Sequence, residues 1–370
     1  MRILFTGPGS AGHSFPLVPT AQALRAAGHE VLLAGQAPLD LLRQTGLPTV
    51  EIGDGSTLSD SFRRIAPDPG YVNPDRSQEE TIRLAALGFA DHGRAALPGL
   101  LAVATAWRPD VLVHAAFQAA APLVAAKLGI PAVVHNFGVM SGQEMVGRFA
   151  SLLEPEYREH GVEGPATHTV IDVVPASLGG DGTGWRVRYV PYNGGGTVPS
   201  ELLGRGERPR IAVTLGTVLT EWAGANPITR LVAEAAQVDA DFLLAVGDTD
   251  LTPLGPLPAN VRALPWVPLA QLLDAADAVV HHGGSGTMLT AAAHGIPQLI
   301  LPQGADHFLN VAAAQAAGFA LRSTDTEVDA ALLDRLLTEE GLRKSAESFR
   351  AEMSALPSPA DLVPRFEALR

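Results

Sequence analysis

Residues 278–310, AVVHHGGSGTMLTAAAHGIPQLILPQGADHFLN, place a glycine-rich turn between an apolar strand and a helix. A strand ending at His282 delivers Gly283, Gly284, Ser285, Gly286 and Thr287 to a helix running on from Met288. The unpaired N–H groups and the dipole at a helix start attract an anion, so the chemistry this spacing offers is the binding of a pyrophosphate. A second glycine turn, Gly7-Pro8-Gly9-Ser10-Ala11-Gly12, follows an apolar strand at the N-terminus and matches G-x-G-x-x-G, the spacing of a dinucleotide-binding turn. Such a turn needs an acidic residue for the ribose at the end of the next strand, and Ala34-Gly35-Gln36-Ala37 stands there instead. His13 comes directly after this turn and before Pro16, at the mouth of a sheet. Alone it reads as an exposed loop histidine; with a phosphate site in the other half of the chain it becomes a general base.

Asp248-Thr249-Asp250 spells D-x-D, a triplet that in some enzymes binds a divalent metal. It follows a strand in a loop, where solvated turn carboxylates are common. His281 and His282 are strand neighbours that point to opposite faces, a poor metal pair. His281 reads as structural, and neither a metal nor a cofactor is expected.

Short β-branched runs alternating with Ala/Leu-rich helical stretches build parallel sheets, and the pattern occurs twice. The first set is Ile3–Thr6, Glu30–Ala34, Asp110–Ala115 and Ala132–Phe137, with helical patterns Leu17–Ala27 and Ala121–Leu128 stopping at Gly28 and Gly129. The second is Ile211–Leu215, Phe242–Val246, Val261–Leu264, Ala278–His282 and Gln298–Leu301. A chain of 370 residues fits two domains of roughly 150–200 residues each. The expected division is residues 1–190, a Gly/Pro-dense linker over 191–209, a second domain over 210–355, and a last helix within 356–370 packing back on the first. Residues 53–78 lack periodicity and read as a long mobile loop. With 46% hydrophobic residues there is material for two cores, and the net charge of −13 argues against nucleic acid or anionic membranes as partners. The longest apolar stretch, around residues 115–134, carries Gln118, Pro122, Lys127 and Pro131 and makes no membrane span. With no cysteine the redox compartment is left open; the apolar run Ile3–Thr6 is too short for a signal segment, and a cytoplasmic location is the expectation.

The chain resembles the nucleotide-sugar-dependent glycosyltransferases of the GT-B fold, in the group of actinobacterial enzymes that attach deoxysugars to antibiotics. The residues that carry the resemblance are Leu264-Pro265-Trp266-Val267-Pro268, the HHGGSGT turn, Pro302 to His307, and Gly9-Ser10-Ala11-Gly12-His13. It implies two facing Rossmann-like α/β domains with a donor/acceptor cleft between them. By resemblance Trp266 stacks on the donor base and the Val267 backbone bonds its edge. His282, Gly284, Ser285, Gly286 and Thr287 hold the pyrophosphate, Thr214, Gly216 and Thr217 meet the phosphates or sugar, and Ser10 and Gly12 join the donor site. Asp306 accepts hydrogen bonds from sugar hydroxyls, and His307 stands where the family usually has glutamine. The donor is a nucleoside-diphosphate sugar, thymidine-linked by the group's habit.

The implied reaction is inverting transfer, with His13 deprotonating an acceptor hydroxyl that attacks the anomeric carbon. In the family a carboxylate after the Asp110–His114 strand orients the base, but this chain has Ala115-Ala116-Phe117. Three explanations stay open: Asp91 or another carboxylate substitutes, the acceptor is an easily activated nucleophile such as a phenol, or the product is a carbon-linked glycoside. Phe62, Phe89, Phe117, Phe137, Met140, Met145 and Phe149 suit a flat apolar acceptor in the first domain, or ordinary core packing. The partners are thus a small-molecule donor and an aglycone acceptor, with a homodimer left open. Rival readings are a sugar-nucleotide epimerase of the same fold and a non-catalytic helper that binds a nucleotide sugar.

Overall fold

The computed structural model describes residues 1–66, 78–179, 182, 184–204, 206–216, 224–304 and 306–369. The chain divides into two units, Met1–Tyr192 with Leu356–Arg370, and Asn193–Ala355. In the first, strands β1 (Arg2–Gly7), β2 (Glu30–Gly35), β3 (Thr49–Glu51), β4 (Val111–Ala115), β5 (Ala132–His135), β6 (His168–Asp172) and β7 (Trp185–Arg186) form one sheet in the order β3-β2-β1-β4-β5-β6-β7. In the second, β8 (Arg210–Thr214), β9 (Asp241–Leu244), β10 (Val261–Ala263), β11 (Ala278–His281), β12 (Gln298–Ile300) and β13 (Ala320–Arg322) are ordered β10-β9-β8-β11-β12-β13. Every pairing in both sheets is parallel.

Parallel strands need crossover helices on both faces, so their residues are apolar in unbroken runs. Ile3, Leu4 and Phe5 of β1 and Val111, Leu112 and Val113 of β4 are fully buried. Helix ends follow local chemistry: Ala121–Leu128 and Ser285–His294 both stop at a left-handed glycine, Gly129 and Gly295.

The strand orders locate the functional ends. In the first sheet the chain winds outward from β1 to one side and from β4 to the other; in the second it does so from β8 and β11. Connections leaving two neighbouring strands in opposite directions open a crevice at their carboxyl ends, where ligands of such sheets bind. Gly7 and Ala115 flank that point in the first unit, and Thr214 and His281 in the second.

Residues 53–78 are not the uninterrupted loop that their polar composition suggests. Thr57 and Asp60 form a reciprocal capping box that starts a helix at Leu58–Ile65. Phe62 of that helix meets Phe89 on the long helix Gln78–Trp107 with ring centroids 5.5 Å apart. This tertiary contact supplies what a short charged helix lacks in periodicity. The remainder of the segment, 67–77, lies outside the described residues.

The Gly/Pro-dense stretch 191–209 is divided between the units at Tyr192 and Asn193. Asn193 accepts the Ala270 N–H through its side chain, and Leu202 is buried beside Leu264 and Val267. At the other end, Pro359–Leu362 and Val363–Glu367 belong to the first unit. There Phe366 is fully buried, edge-on to Trp185 at 5.3 Å.

Candidate active site

In the second unit β11 carries the turn. His281, its last residue, is fully buried. Its Nδ1 accepts the Gly283 N–H at 3.1 Å, which leaves Nε2–H to donate to Gln298 Oε1 at 2.8 Å. Gln298 in turn donates to the Met288 carbonyl at 3.1 Å. Burial pushes the His281 pKa down to about 4, so the ring is a neutral strut under the turn.

His282 projects the other way, between two glycines. A Cβ on Gly284 would stand 2.5 Å from its Nε2, and one on Gly216 would stand 2.5 Å from its Cε1. Gly216 also has a left-handed φ of +69°, so both residues have to be glycine for the imidazole to sit there. His307 packs edge-on against the same ring, with centroids 4.9 Å apart and planes at 81°. Burial, with the His307 and His281 rings beside it, holds the His282 pKa well below the ordinary histidine value, while the Thr214 backbone pulls in the opposite direction. A neutral imidazole can still donate one N–H to a phosphate oxygen.

Gly284 is the N-cap, so the helix begins at Ser285, three residues earlier than the sequence pattern indicates. The extended cap at Gly284, with no side chain to crowd His282, makes the earlier start possible. Ser285, Gly286 and Thr287 are therefore the first turn of the helix itself, with no acidic side chain there to compete for its N–H groups. Thr214, at the end of the neighbouring β8, is buried and accepts the Gly216 N–H at 3.2 Å. Thr217 lies outside the described residues.

Asp306 and Ser285 meet directly, the Ser285 hydroxyl donating to Asp306 Oδ2 at 2.7 Å. Asn310, fully buried one helical turn beyond Asp306, completes the group, with Nδ2 2.9 Å from the Gly283 carbonyl, from Ser285 Oγ and from Asp306 Oδ2. Asn310 and Gln298 are absent from the residues that sequence reasoning singled out. The i, i+4 spacing of Asp306 and Asn310 on a helix was the available signal for the first. Trp266 and Val267 follow β10, three strands from β11. The Trp266 ring is 44% exposed and its Nε1–H bonds the Gly195 carbonyl at 3.2 Å, so it is not a core indole; Val267 is buried.

In the first unit, Gly9 is glycine because a Cβ there would stand 2.2 Å from the Ala37 carbonyl oxygen. Chain crossing thus accounts for the glycine without a dinucleotide. Ser10 caps the one-turn helix Ala11–Ser14, and Gly12 is exposed on it. His13 is half-buried within aromatic rings: Phe137 at 4.7 Å and 82°, Phe89 at 4.9 Å and 81°, and Phe117 at 5.2 Å and 40°. Phe117 follows β4, so the place expected to hold an orienting carboxylate carries an aromatic ring against the histidine. Asp91 does not sit in a loop. It lies on the helix Gln78–Trp107, with its carboxylate paired to Arg64 at 2.7 Å.

The seven apolar residues expected around an acceptor share one hydrophobic cluster. Phe89, Phe117, Phe137, Met145 and Phe149 are buried, and Phe62 and Met140 keep partial exposure. As placed, Met145 and Phe149 are core packing, at 2% and 1% exposure. Asp250 bonds the Thr252 N–H and hydroxyl at 2.9 and 2.6 Å, a turn carboxylate whose pKa those bonds lower. Among the described residues no group of three His, Asp or Glu side chains is placed to hold a metal, and no helix is long and apolar enough to cross a membrane.

Two family models match the chain, the N-terminal domain of erythromycin biosynthesis protein CIII-like proteins over residues 22–216 and their C-terminal domain over 229–369. The elloramycin glycosyltransferase of Streptomyces olivaceus is 39% identical over 99% of this chain and 96% of its own length. The crystal structure of the glycosyltransferase SnogD from Streptomyces nogalater matches with a TM-score of 0.86 and 36% identity, covering 100% of this chain and 99% of that one. The Streptomyces sp. SF2575 glycosyltransferase SsfS6, solved with thymidine diphosphate, matches at a TM-score of 0.85 and 30% identity over 100% of this chain and 99% of that one. The chain belongs to the erythromycin biosynthesis protein CIII-like family and is a natural-product glycosyltransferase of the GT-B fold.

Proposed function

We propose that the chain transfers a deoxysugar from a thymidine diphosphate sugar to a small apolar natural-product acceptor, with inversion at the anomeric carbon. The observation that carries the donor half is the His282 imidazole seated between Gly216 and Gly284, at the start of the helix Ser285–His294 and at the β8/β11 switch point. A neutral imidazole N–H beside the first turn of a helix, Ser285, Gly286 and Thr287, whose dipole is positive at that end, suits a diphosphate. The thymidine base is supported by the thymidine diphosphate complex of SsfS6 and by the exposed Trp266 ring, a stacking surface worth about 1–3 kcal/mol per base.

In the reaction the acceptor O–H gives its proton to His13, the oxygen forms a bond to the anomeric carbon, and the carbon–phosphate oxygen bond breaks. The electron pair leaves on thymidine diphosphate, whose growing charge meets the helix N-terminus and His282. Those groups carry positive potential in place of a divalent ion, so on this reading the enzyme works without metal. The aromatic surroundings of His13 favour a flat apolar acceptor, with the reactive hydroxyl at the imidazole.

Calorimetric titration of chelator-treated protein with thymidine diphosphate and uridine diphosphate tests the donor half. The expected outcome is metal-free binding that prefers thymidine diphosphate and is weakened at least ten-fold by His282→Ala. Binding that requires added Mg²⁺ or Mn²⁺ would sink the metal-independent reading.

A further inference from the structure

The candidate diphosphate turn and the candidate sugar carboxylate come from different elements, the β11 loop and the start of the helix His307–Ala316. Asn310 joins them. Its amide lies 2.9 Å from the Gly283 carbonyl, from Ser285 Oγ and from Asp306 Oδ2, and Ser285 Oγ is itself 2.7 Å from that carboxylate oxygen. The backbone of Gly283 is consequently held at both of its peptide groups, its N–H by His281 and its carbonyl by Asn310. Asp306 has one carboxylate oxygen engaged inside the group, which leaves the other for a ligand hydroxyl.

The geometry points to Asn310 as a positioning residue that fixes the diphosphate turn and the sugar-binding carboxylate relative to each other, so that loss of either partner loosens the other. This rests on the donor site proposed above. Asn310 is fully buried and touches no donor atom on that reading; it acts through Gly283, Ser285 and Asp306. The donor–acceptor pattern is directional, since only a side chain bearing N–H groups at this position can serve two oxygens of the turn and a carboxylate together.

The link makes a prediction whose sign separates it from plain electrostatics. Bare thymidine diphosphate lacks the transferred sugar that Asp306 would hold, and removing a negative charge beside a diphosphate strengthens binding on Coulombic grounds. If Asp306 instead props the turn through Ser285 and Asn310, Asp306→Ala weakens binding of thymidine diphosphate. Calorimetric titration of the full chain with thymidine diphosphate is made on wild type, Asn310→Leu, Asp306→Ala and the double variant. Wild-type protein that fails to bind overturns the donor-site reading itself. Given wild-type binding, the expected results are a loss of about ten-fold in Asn310→Leu, a smaller loss of about three-fold in Asp306→Ala, and a double variant less impaired than the product of the two. A merely structural asparagine would lower the melting temperature while leaving the affinity of the folded protein within two-fold, and that result overturns the proposal. Multiplicative effects in the double variant overturn the link to Asp306. Should Asn310→Leu fail to fold, the partly buried Asp306 carries the test alone, and unchanged or tighter binding in Asp306→Ala decides against the link.

Discussion

His13, the base of the proposed reaction, is packed against three aromatic rings. Three phenylalanine rings pack against the imidazole at centroid distances of 4.7–5.2 Å, one of them Phe117 from the segment after β4 where the sequence resemblance leads one to expect a carboxylate. General-base assistance is typically worth about 10²–10⁴ in rate. His13→Ala is therefore expected to lower kcat for transfer by about that factor while thymidine diphosphate affinity, measured by calorimetry, stays within two-fold. Full transfer activity in the variant would remove His13 from the mechanism. That the carboxylate is missing can be read directly from Ala115-Ala116-Phe117. That Phe117 fills the place could not be read, because it depends on β1 and β4 being neighbours and on Phe89 arriving from a helix more than seventy residues away in sequence.

At the scale of the element, the glycine turn works because a side chain and two missing side chains are matched. His282 needs the space that Gly284 and Gly216 leave open, and these glycines come from different strands' ends. Gly284→Ala places a Cβ 2.5 Å from the imidazole and displaces it. The expected outcome is a loss of thymidine diphosphate affinity of ten-fold or more, with about 1–3 kcal/mol of folding stability lost to overpacking, read by calorimetry and urea unfolding. Unchanged affinity would mean that the position of the ring is immaterial to the diphosphate. The HHGGSGT run was legible from residue types alone as a glycine turn between a strand and a helix, which is what the structure has. Its partner Gly216 was legible only by resemblance, and the Asn310 group only as a spacing whose meaning the fold supplies.

Across the whole molecule the buried histidines set the response to acid. Burial lowers the pKa of His114 to about 3 and those of His92, His135 and His281 to about 4, from an ordinary value of 6.5. They belong to both units. Each is neutral in the folded chain, so the unfolded chain takes up protons first as the pH falls below about 6.5. Their contribution to stability is complete above that value and is lost progressively as the pH drops toward 4. The melting temperature is expected to be highest near neutral pH and to fall steeply between pH 6.5 and 4, by scanning calorimetry in buffers of matched ionic strength. A flat profile over that range would contradict the neutral, buried state of these rings.

The residue sequence by itself determined the two α/β sets, the places of nine of the strands, and the glycine turn that leads from β11 into a helix, because parallel strands, helix caps and glycine turns are local codes of period and residue type. It also shows that Ala115-Ala116-Phe117, with no carboxylate, follows the β4 run. Only the tertiary structure decided β3, β7 and β13, which are two or three residues long and carry no period, β6, which opens on the polar His168 and Thr169, and the packing of the helix Leu58–Ile65 through Phe62 on Phe89. It alone decided that Gly9 answers to the Ala37 carbonyl, and that His281, His282, Asp306, His307 and Asn310 form one hydrogen-bonded and stacked group. Those are contacts between elements, and strand order brings them about in a way no local pattern encodes.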